Sequence, residues 1–360
     1  MRKSIPTAMC LFILVLSLLA SGCARGHESA QKSLSVAFPE FTAKQRLQEQ
    51  TEDPSVVLSI VRQIKNRTDV GMVVPSAIAY SESGDLYVLD NNGQVVHRWK
   101  VGSDQAEVFL TQKAGTFNFP FAMEYADNKI YVSDNDGIKV FSADGQFEKL
   151  IRTYFGIFSF AVTPRGTILV NALVRNADSS DPLIVELDPT GKLIRGFGSR
   201  QNVEGHDGLE DRAFLAISNG TLFVAFKYRP TVEVYDIASG KLNRTVDIAH
   251  PVFRGLERAM LEAEASRINS PGQSLTPKYL AGIRTLGTRV FLCLYLPTPE
   301  IWELDESGRR VSQFEISSGS PALDIFGFDV RSTGSSVTLS LGTTNSDLSP
   351  GVFEVNTGVN

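Results

Sequence analysis

Pro75-Ser-Ala-Ile-Ala-Tyr80-Ser-Glu-Ser-Gly84-Asp-Leu-Tyr87-Val88-Leu-Asp90-Asn-Asn-Gly93-Gln-Val-Val-His-Arg-Trp99 decides the fold, because the chain builds it again. The second copy is Pro120-Phe-Ala-Met-Glu-Tyr125-Ala-Asp-Asn-Lys-Ile-Tyr131-Val132-Ser-Asp134-Asn-Asp-Gly137-Ile-Lys-Val-Phe141-Ser-Ala-Asp-Gly145. The two prolines stand 45 residues apart, and Asp90 and Asp134 stand 44 apart. Each copy reads as a strand, a turn, a second strand ending in Tyr-Val-x-Asp, a tight turn and a third strand. That is most of one four-stranded propeller blade.

Looser copies follow. They run from Phe160 to Asn171 and Leu183 to Leu193, from Phe214 to Phe226 and Val232 to Leu242, from Leu280 to Leu296 and Ile301 to Gly308, and from about Ile325 to Val355. Turns of the form Asp-x-x-(x)-Gly recur at Asp188, Asp236 and Asp305, each between a third and a fourth strand, where Gly supplies a positive φ. Runs such as Leu222-Phe-Val-Ala-Phe226 lack the polar alternation of a half-exposed strand. A blade packed on both faces accounts for that. The sequence therefore predicts an all-β fold, a six-bladed β-propeller over residues 54–360. Ser55–Ile64 or Val70–Val74 is expected to complete the last blade, since joining both termini in one sheet removes a free edge. Between the fourth and fifth blades, Leu256, Met260, Leu261 and Ile268 recur at helical spacing, which predicts a helical insertion at 250–278.

The first two copies resemble the NHL-type repeat, which pairs an early Pro with Tyr-Val-x-Asp and a glycine turn. They depart from it after the Asp, where Asn91-Asn92-Gly93-Gln94 and Asn135-Asp136-Gly137-Ile138 replace the usual Asn-x-Arg-Ile. The resemblance is good in two blades, loose in the next three and nearly lost in the sixth. The whole also resembles the six-bladed propeller lipoproteins of bacterial envelopes.

The N-terminus carries an address. Met1-Arg2-Lys3 is basic, and the apolar run from Ala8 to Ala20 is shorter than the ~20 residues of a membrane-spanning helix. It fits the h-region of a signal peptide. Leu19-Ala-Ser-Gly22-Cys23 resembles the bacterial lipobox, which implies cleavage after Gly22 (residues 1–22 removed) and a lipidated Cys23. Ala20 stands where that family more often has Leu. Residues 23–53 read as a polar tether with a short helix near Thr42–Glu52. Ala24, rather than Asp, implies sorting to the outer membrane in a Gram-negative cell. Cys10 leaves with the signal, so Cys293 has no disulfide partner; within Arg289–Leu296 it reads as a buried, inert thiol.

With 35 Lys and Arg against 40 Asp and Glu, the net charge is −5, and there is no basic block to suit nucleic acid. No serine-nucleophile elbow or phosphate loop occurs. The four histidines, His27, His97, His206 and His250, include no pair at ligand spacing; Glu204, His206, Asp207, Glu210 and Asp211 form the one mixed cluster. No metal site or catalytic group is assigned. Calcium on the Asp-rich turns is the one cofactor left open, though without EF-hand spacing.

In a propeller the loops after each second strand share one face of the ring. That gathers Asp90, Asn91, Asn92, Asp134, Asn135, Asp136, Asn171, Lys227 and Arg229, either as a ligand-binding set or as caps of their own tight turns. Two functions fit. One is a non-catalytic binding or scaffold lipoprotein, held to the membrane by its lipid, with another envelope protein, a small molecule or a glycan as partner. The other is a propeller hydrolase, lactonase or lyase with a metal in the central channel, for which Asp90, Asp134 and Asn171 are the candidate ligands.

Overall fold

Strands account for nearly all the regular structure. The computed structural model describes residues 56–65, 74–103, 105–110, 117–173, 180–201, 208–266, 277–296, 298–317, 324–334, 336–344 and 351–357. The expected signal, the lipidated cysteine, the tether with its short helix, and Glu204, His206 and Asp207 lie outside the described residues.

After β1 (Val56–Lys65), four-stranded antiparallel sheets follow one another. Blade 1 is β2 (Pro75–Tyr80), β3 (Leu86–Asp90), β4 (Val95–Trp99) and β5 (Ala106–Leu110). Blade 2 is β6 (Ala122–Ala126), β7 (Lys129–Asp134), β8 (Gly137–Ser142) and β9 (Phe147–Arg152). Blade 3 is β10 (Gly156–Val162), β11 (Ile168–Leu173), β12 (Pro182–Leu187) and β13 (Leu193–Ser199). Blade 4 is β14 (Ala213–Ser218), β15 (Thr221–Phe226), β16 (Thr231–Asp236) and β17 (Lys241–Asp247). Blade 5 is β18 (Leu280–Leu286), β19 (Arg289–Leu294), β20 (Glu300–Leu304) and β21 (Arg310–Ser317). Blade 6 has β22 (Asp324–Thr333), β23 (Ser336–Thr344) and β24 (Gly351–Asn356) from the C-terminal end of the chain. The first strand of every blade lies against the first strands of its two neighbours, so β2, β6, β10, β14, β18 and β22 form a closed inner ring. The chain is a six-bladed β-propeller.

β1 closes the ring twice over. Its second half pairs antiparallel with β24, Ile60 opposite Val355 through Lys65 opposite Gly351, and supplies the fourth strand of blade 6. Its first half pairs parallel with the outer strand of blade 5, Val56 opposite Phe314 through Ser59 opposite Ser317. Leu58 is buried in the apolar cluster between these blades, with Phe314, Ile316, Phe353 and Val355.

The buried apolar side chains divide into six clusters, one at each blade interface. β3 shows how a continuous apolar run serves this. Leu86 and Val88 face blade 6, while Tyr87 and Leu89 face blade 2. Successive side chains of a strand point to opposite faces, and here both faces are core. β15 repeats the pattern, with Leu222, Val224 and Phe226 toward blade 3 and Phe223 and Ala225 toward blade 5. Cys293 belongs to the cluster between blades 5 and 6; it is fully buried, and that burial pushes its thiol far up from the ordinary range.

The turns read from sequence have a common construction. Asp188 Oδ1 accepts the amides of Thr190 (2.8 Å) and Lys192 (3.0 Å), and Asp305 Oδ1 accepts those of Ser307 (2.9 Å) and Arg309 (3.0 Å). Gly191 closes the first at φ 93°, and a Cβ there would meet Ile151 at 2.8 Å, so only glycine serves.

Helix α1 (Pro251–Ser266) occupies the insertion. His250 caps it, its Nδ1 accepting the amide of Val252 at 3.2 Å, and Pro251 stands at the first helical position, where no amide is missed. Phe253 and Leu256 pack on the cluster between blades 4 and 5, and Phe253 meets the Tyr279 ring edge-on at 5.0 Å. The helix is thus fastened between those two blades.

Candidate functional site

The repeated polar residues sit where the second strand of a blade ends, opposite the start of its first strand. Asp90 is fully buried, and its Oδ1 accepts the amides of Val74 and Gly93, both at 3.1 Å. Asp134 does the same for Asn118 (3.0 Å) and Asp136 (2.9 Å), and also holds the buried Lys139 ammonium at 2.5 Å. The asparagines stitch blades together. Asn91 Nδ2 donates to the Pro120 carbonyl of blade 2 at 2.7 Å. Asn171 Nδ2 donates to the Asp211 carbonyl at 2.9 Å, and its Oδ1 accepts the Ala213 amide of blade 4 at 3.0 Å. The Asn135 amide donates to the Asn118 carbonyl at 2.9 Å. The Arg229 guanidinium lies over the Phe226 ring at 3.4 Å, with its Nε donating to the Glu210 carbonyl, and Lys227 reaches the rings of Phe158 and Tyr228. These groups bond to strand starts, to turns and to neighbouring blades. The sequence placed them around the mouth of a binding channel, but none of them lines the cavity that the channel holds.

That cavity, about 670 Å³, opens at the other end of the strands, where first strands turn into second strands. Its size is that of a small-molecule site. A smaller groove of about 320 Å³, bounded by Asn219, Arg244 and Glu306, lies away from the inner ring. The channel wall has two unlike arcs. Blades 5, 6, 1 and 2 contribute Arg284, Asp329, Arg331, Tyr80, Glu82, Glu124 and Tyr125, whereas blades 3 and 4 contribute Ala161, Val162, Pro164, Leu215, Ala216 and Ile217.

Most of the charged arc is paired. Arg284 Nε lies 3.2 Å from Asp329 Oδ1, and Asp329 Oδ2 accepts the Tyr80 amide at 2.7 Å, so one carboxylate ties blades 5, 6 and 1 together. Arg331 lies 3.5 Å from Glu354 and donates to the Gly84 carbonyl at 3.0 Å. The Tyr80 hydroxyl donates to Glu354 at 2.7 Å and touches Ser340, and burial pushes it far above the usual phenol range. Burial also raises the Asp329 carboxyl, against the pull of Arg284.

The exposed Glu82 and the half-buried Glu124 stand outside this pairing. Glu124 makes no hydrogen bond or ion pair among the described residues. Burial pushes its carboxyl up to about 7; the Arg284 charge works against the rise and the Asp329 charge adds to it. A carboxyl tuned close to neutrality in a cleft is a mark of functional sites. Among the described residues, no group of three or more His, Cys, Asp or Glu side chains is placed to hold a metal ion.

No protein-family model matches the chain, and no curated protein matches it in sequence. Solved structures do. A luciferin-regenerating enzyme aligns at 12% identity and TM-score 0.53, over 82% of this chain and 95% of its own. The WD40 propeller domain of Doa1 aligns at 12% and 0.52, over 84% and 97%. A gluconolactonase from Xanthomonas campestris aligns at 14% and 0.49, over 84% and 97%. The propeller is what the first two share with this chain. At such identities the likeness is one of fold, and fold does not carry function.

The sequence did hold a signal for the cavity residues. Aligned on Pro75 and Pro120, Glu124 falls where blade 1 has Ala79, so it is an acid in an inner strand of otherwise apolar or aromatic residues. Arg284, Asp329 and Arg331 interrupt inner strands in the same way.

The two repeated aspartates give a direct comparison. Asp90→Ala removes the cap of a turn and a strand start and is expected to cost about 1 kcal/mol, the scale of a lost helix cap. Asp134→Ala also strips the buried Lys139 of the carboxylate at 2.5 Å; about 3 kcal/mol is expected, since a buried charge loses a close partner. Urea melts of the two variants measure the difference. Equal losses would mean that the Lys139 pair adds nothing.

Proposed function

We propose that the chain is a lipid-anchored protein of the bacterial cell envelope whose propeller is a non-catalytic binding platform, with a small ligand held in the channel cavity. The observation that carries the binding half is Glu124, a carboxylate without a protein partner in the wall of a ~670 Å³ cavity. Leaving a half-buried charge unpaired in a cavity wall costs stability, and a ligand that satisfies it offsets that cost. The anchoring half rests on the sequence: the short apolar run, Leu19–Cys23, and the resemblance to propeller lipoproteins with NHL-like repeats. Ala24 favours the outer membrane in a Gram-negative cell.

A hydrolase, lactonase or lyase working through a channel metal would draw its ligands from Asp90, Asp134 and Asn171. Those side chains hold backbone groups at the far end of the strands, which favours the binding reading.

One preparation tests both halves. Cells fed a labelled fatty acid are expected to label the wild-type protein in the membrane fraction, whereas Cys23→Ser gives an unlabelled protein. Wild-type protein recovered from the envelope and denatured is expected to release a small molecule that Val162→Trp, which fills the cavity, does not retain. Label on the serine variant defeats the anchor. Equal release from both proteins, with the tryptophan variant melting normally, defeats the channel.

A further inference from the structure

The two arcs of the channel wall specify more than a small ligand. Arg284 is engaged by Asp329 and by the Ile283 carbonyl at 3.0 Å, and Arg331 by Glu354 and the Gly84 carbonyl. The cations of the wall are ion-paired and hydrogen-bonded within the protein, whereas Glu124, though it feels the Arg284 charge, makes no hydrogen bond or ion pair among the described residues. Next to blade 2, which carries Glu124, blades 3 and 4 offer only hydrocarbon: Ala161, Val162, Leu215 and Ile217 among them.

Resting on the channel-binding reading above, we propose that the cavity binds an amine carried on an apolar body, the ammonium group against Glu124 and the hydrocarbon against blades 3 and 4. An ammonium donates to a carboxylate through a charge-assisted hydrogen bond, roughly twice as strong as a neutral one, and a desolvated site strengthens the attraction. An anion of the same shape would meet the unanswered charge of Glu124. A neutral analogue gains the apolar contact and forgoes the ion pair, so the charged and neutral probes separate the two contributions.

The probes are hexylamine, hexanol and hexanoate, titrated calorimetrically into the full chain at pH 8 and pH 5.5. At pH 8 hexylamine is expected to bind at least tenfold more tightly than hexanol, and hexanoate more weakly than either. Glu124→Gln is expected to abolish the preference for the amine over hexanol. The preference is expected to fall at pH 5.5, where Glu124 is protonated and the amine is still charged. The charged groups facing Glu124 are Arg284 on β18 and Asp329 on β22. A pH effect that survives in Glu124→Gln would belong to Asp329 instead and overturn the assignment. Equal affinity for hexylamine and hexanol also overturns the amine inference, while the channel-binding reading stands. If none of the three probes binds, both fall.

Discussion

A chain shortened to begin after Lys65 is expected to lose its cooperative thermal transition and to run as aggregate on a sizing column. Among the described residues, the deleted strand, β1, is the one element that pairs with strands of two blades. Without it, β24 of blade 6 and β21 of blade 5 both become open edges, and unpaired edges template pairing with other chains. Leu58 leaves the cluster that joins these blades, and Phe314, Ile316, Phe353 and Val355 lose that cover. Burying a leucine contributes about 2 kcal/mol, and β1 adds the backbone bonds of a ten-residue strand. The loss is large against the ~5–15 kcal/mol that hold a native protein together. A synthetic peptide spanning residues 54–66 is expected to restore monomer and transition, because an added strand can occupy a vacant sheet position. A shortened chain that stays monomeric and melts at the full-length temperature would show that the ring closes without its clasp.

Closure by an N-terminal strand was legible in the sequence with two candidates for it, Ser55–Ile64 or Val70–Val74, since either apolar run could fill a vacant sheet position. The structure gives the place to Val56–Lys65, whose Leu58 is buried while Val56 and Val57 are exposed. The blades were legible for a second reason: tight turns tolerate few residues, and Asp with Gly at fixed spacing marks them wherever they recur. The helix was placed by its own periodicity. The same repetition left the polar residues with two readings, a ligand-binding set or caps of their own turns, and the bonds of Asp90 and Asp134 are those of caps. Asp90, Asp134 and Asn171 recur in the first three blades because there they hold strand starts, turns and the neighbouring blade. A binding site in a ring that meets one ligand breaks the repeat instead. Glu124, Arg284 and Asp329 are charged residues that the repeats do not share, so repetition alone does not point to them. Their convergence also depends on the ring itself, since Glu124 and Asp329 are 205 positions apart in the chain yet line one cavity.

Glu124→Gln is expected to stabilise the fold at pH 8, and the gain should disappear in acid. The folded state raises this carboxyl from 4.5 to about 7. Between those values the folded chain binds a proton that the unfolded chain has released. Stability then falls as pH rises through the interval and levels off above it. A shift of that size corresponds to about 3 kcal/mol, each pKa unit being worth about 1.4 kcal/mol. A glutamine keeps the shape, carries no charge and removes the titration. The variant should therefore melt several degrees above the wild type at pH 8 and at nearly the same temperature at pH 4.5. Arg284 and Asp329 remain paired in both proteins, so their contribution cancels in the comparison. A ligand-bearing preparation would mask the gain, because an ammonium on Glu124 offsets the same penalty; protein freed of small molecules by unfolding and refolding is the proper reference. Equal melting temperatures at pH 8 would mean that water reaches the carboxylate freely, and Glu124 would lose its claim to be the group around which the cavity is built. A gain at pH 8 that vanishes in acid would mark it as a residue kept at a cost to stability, as expected of a group retained for binding.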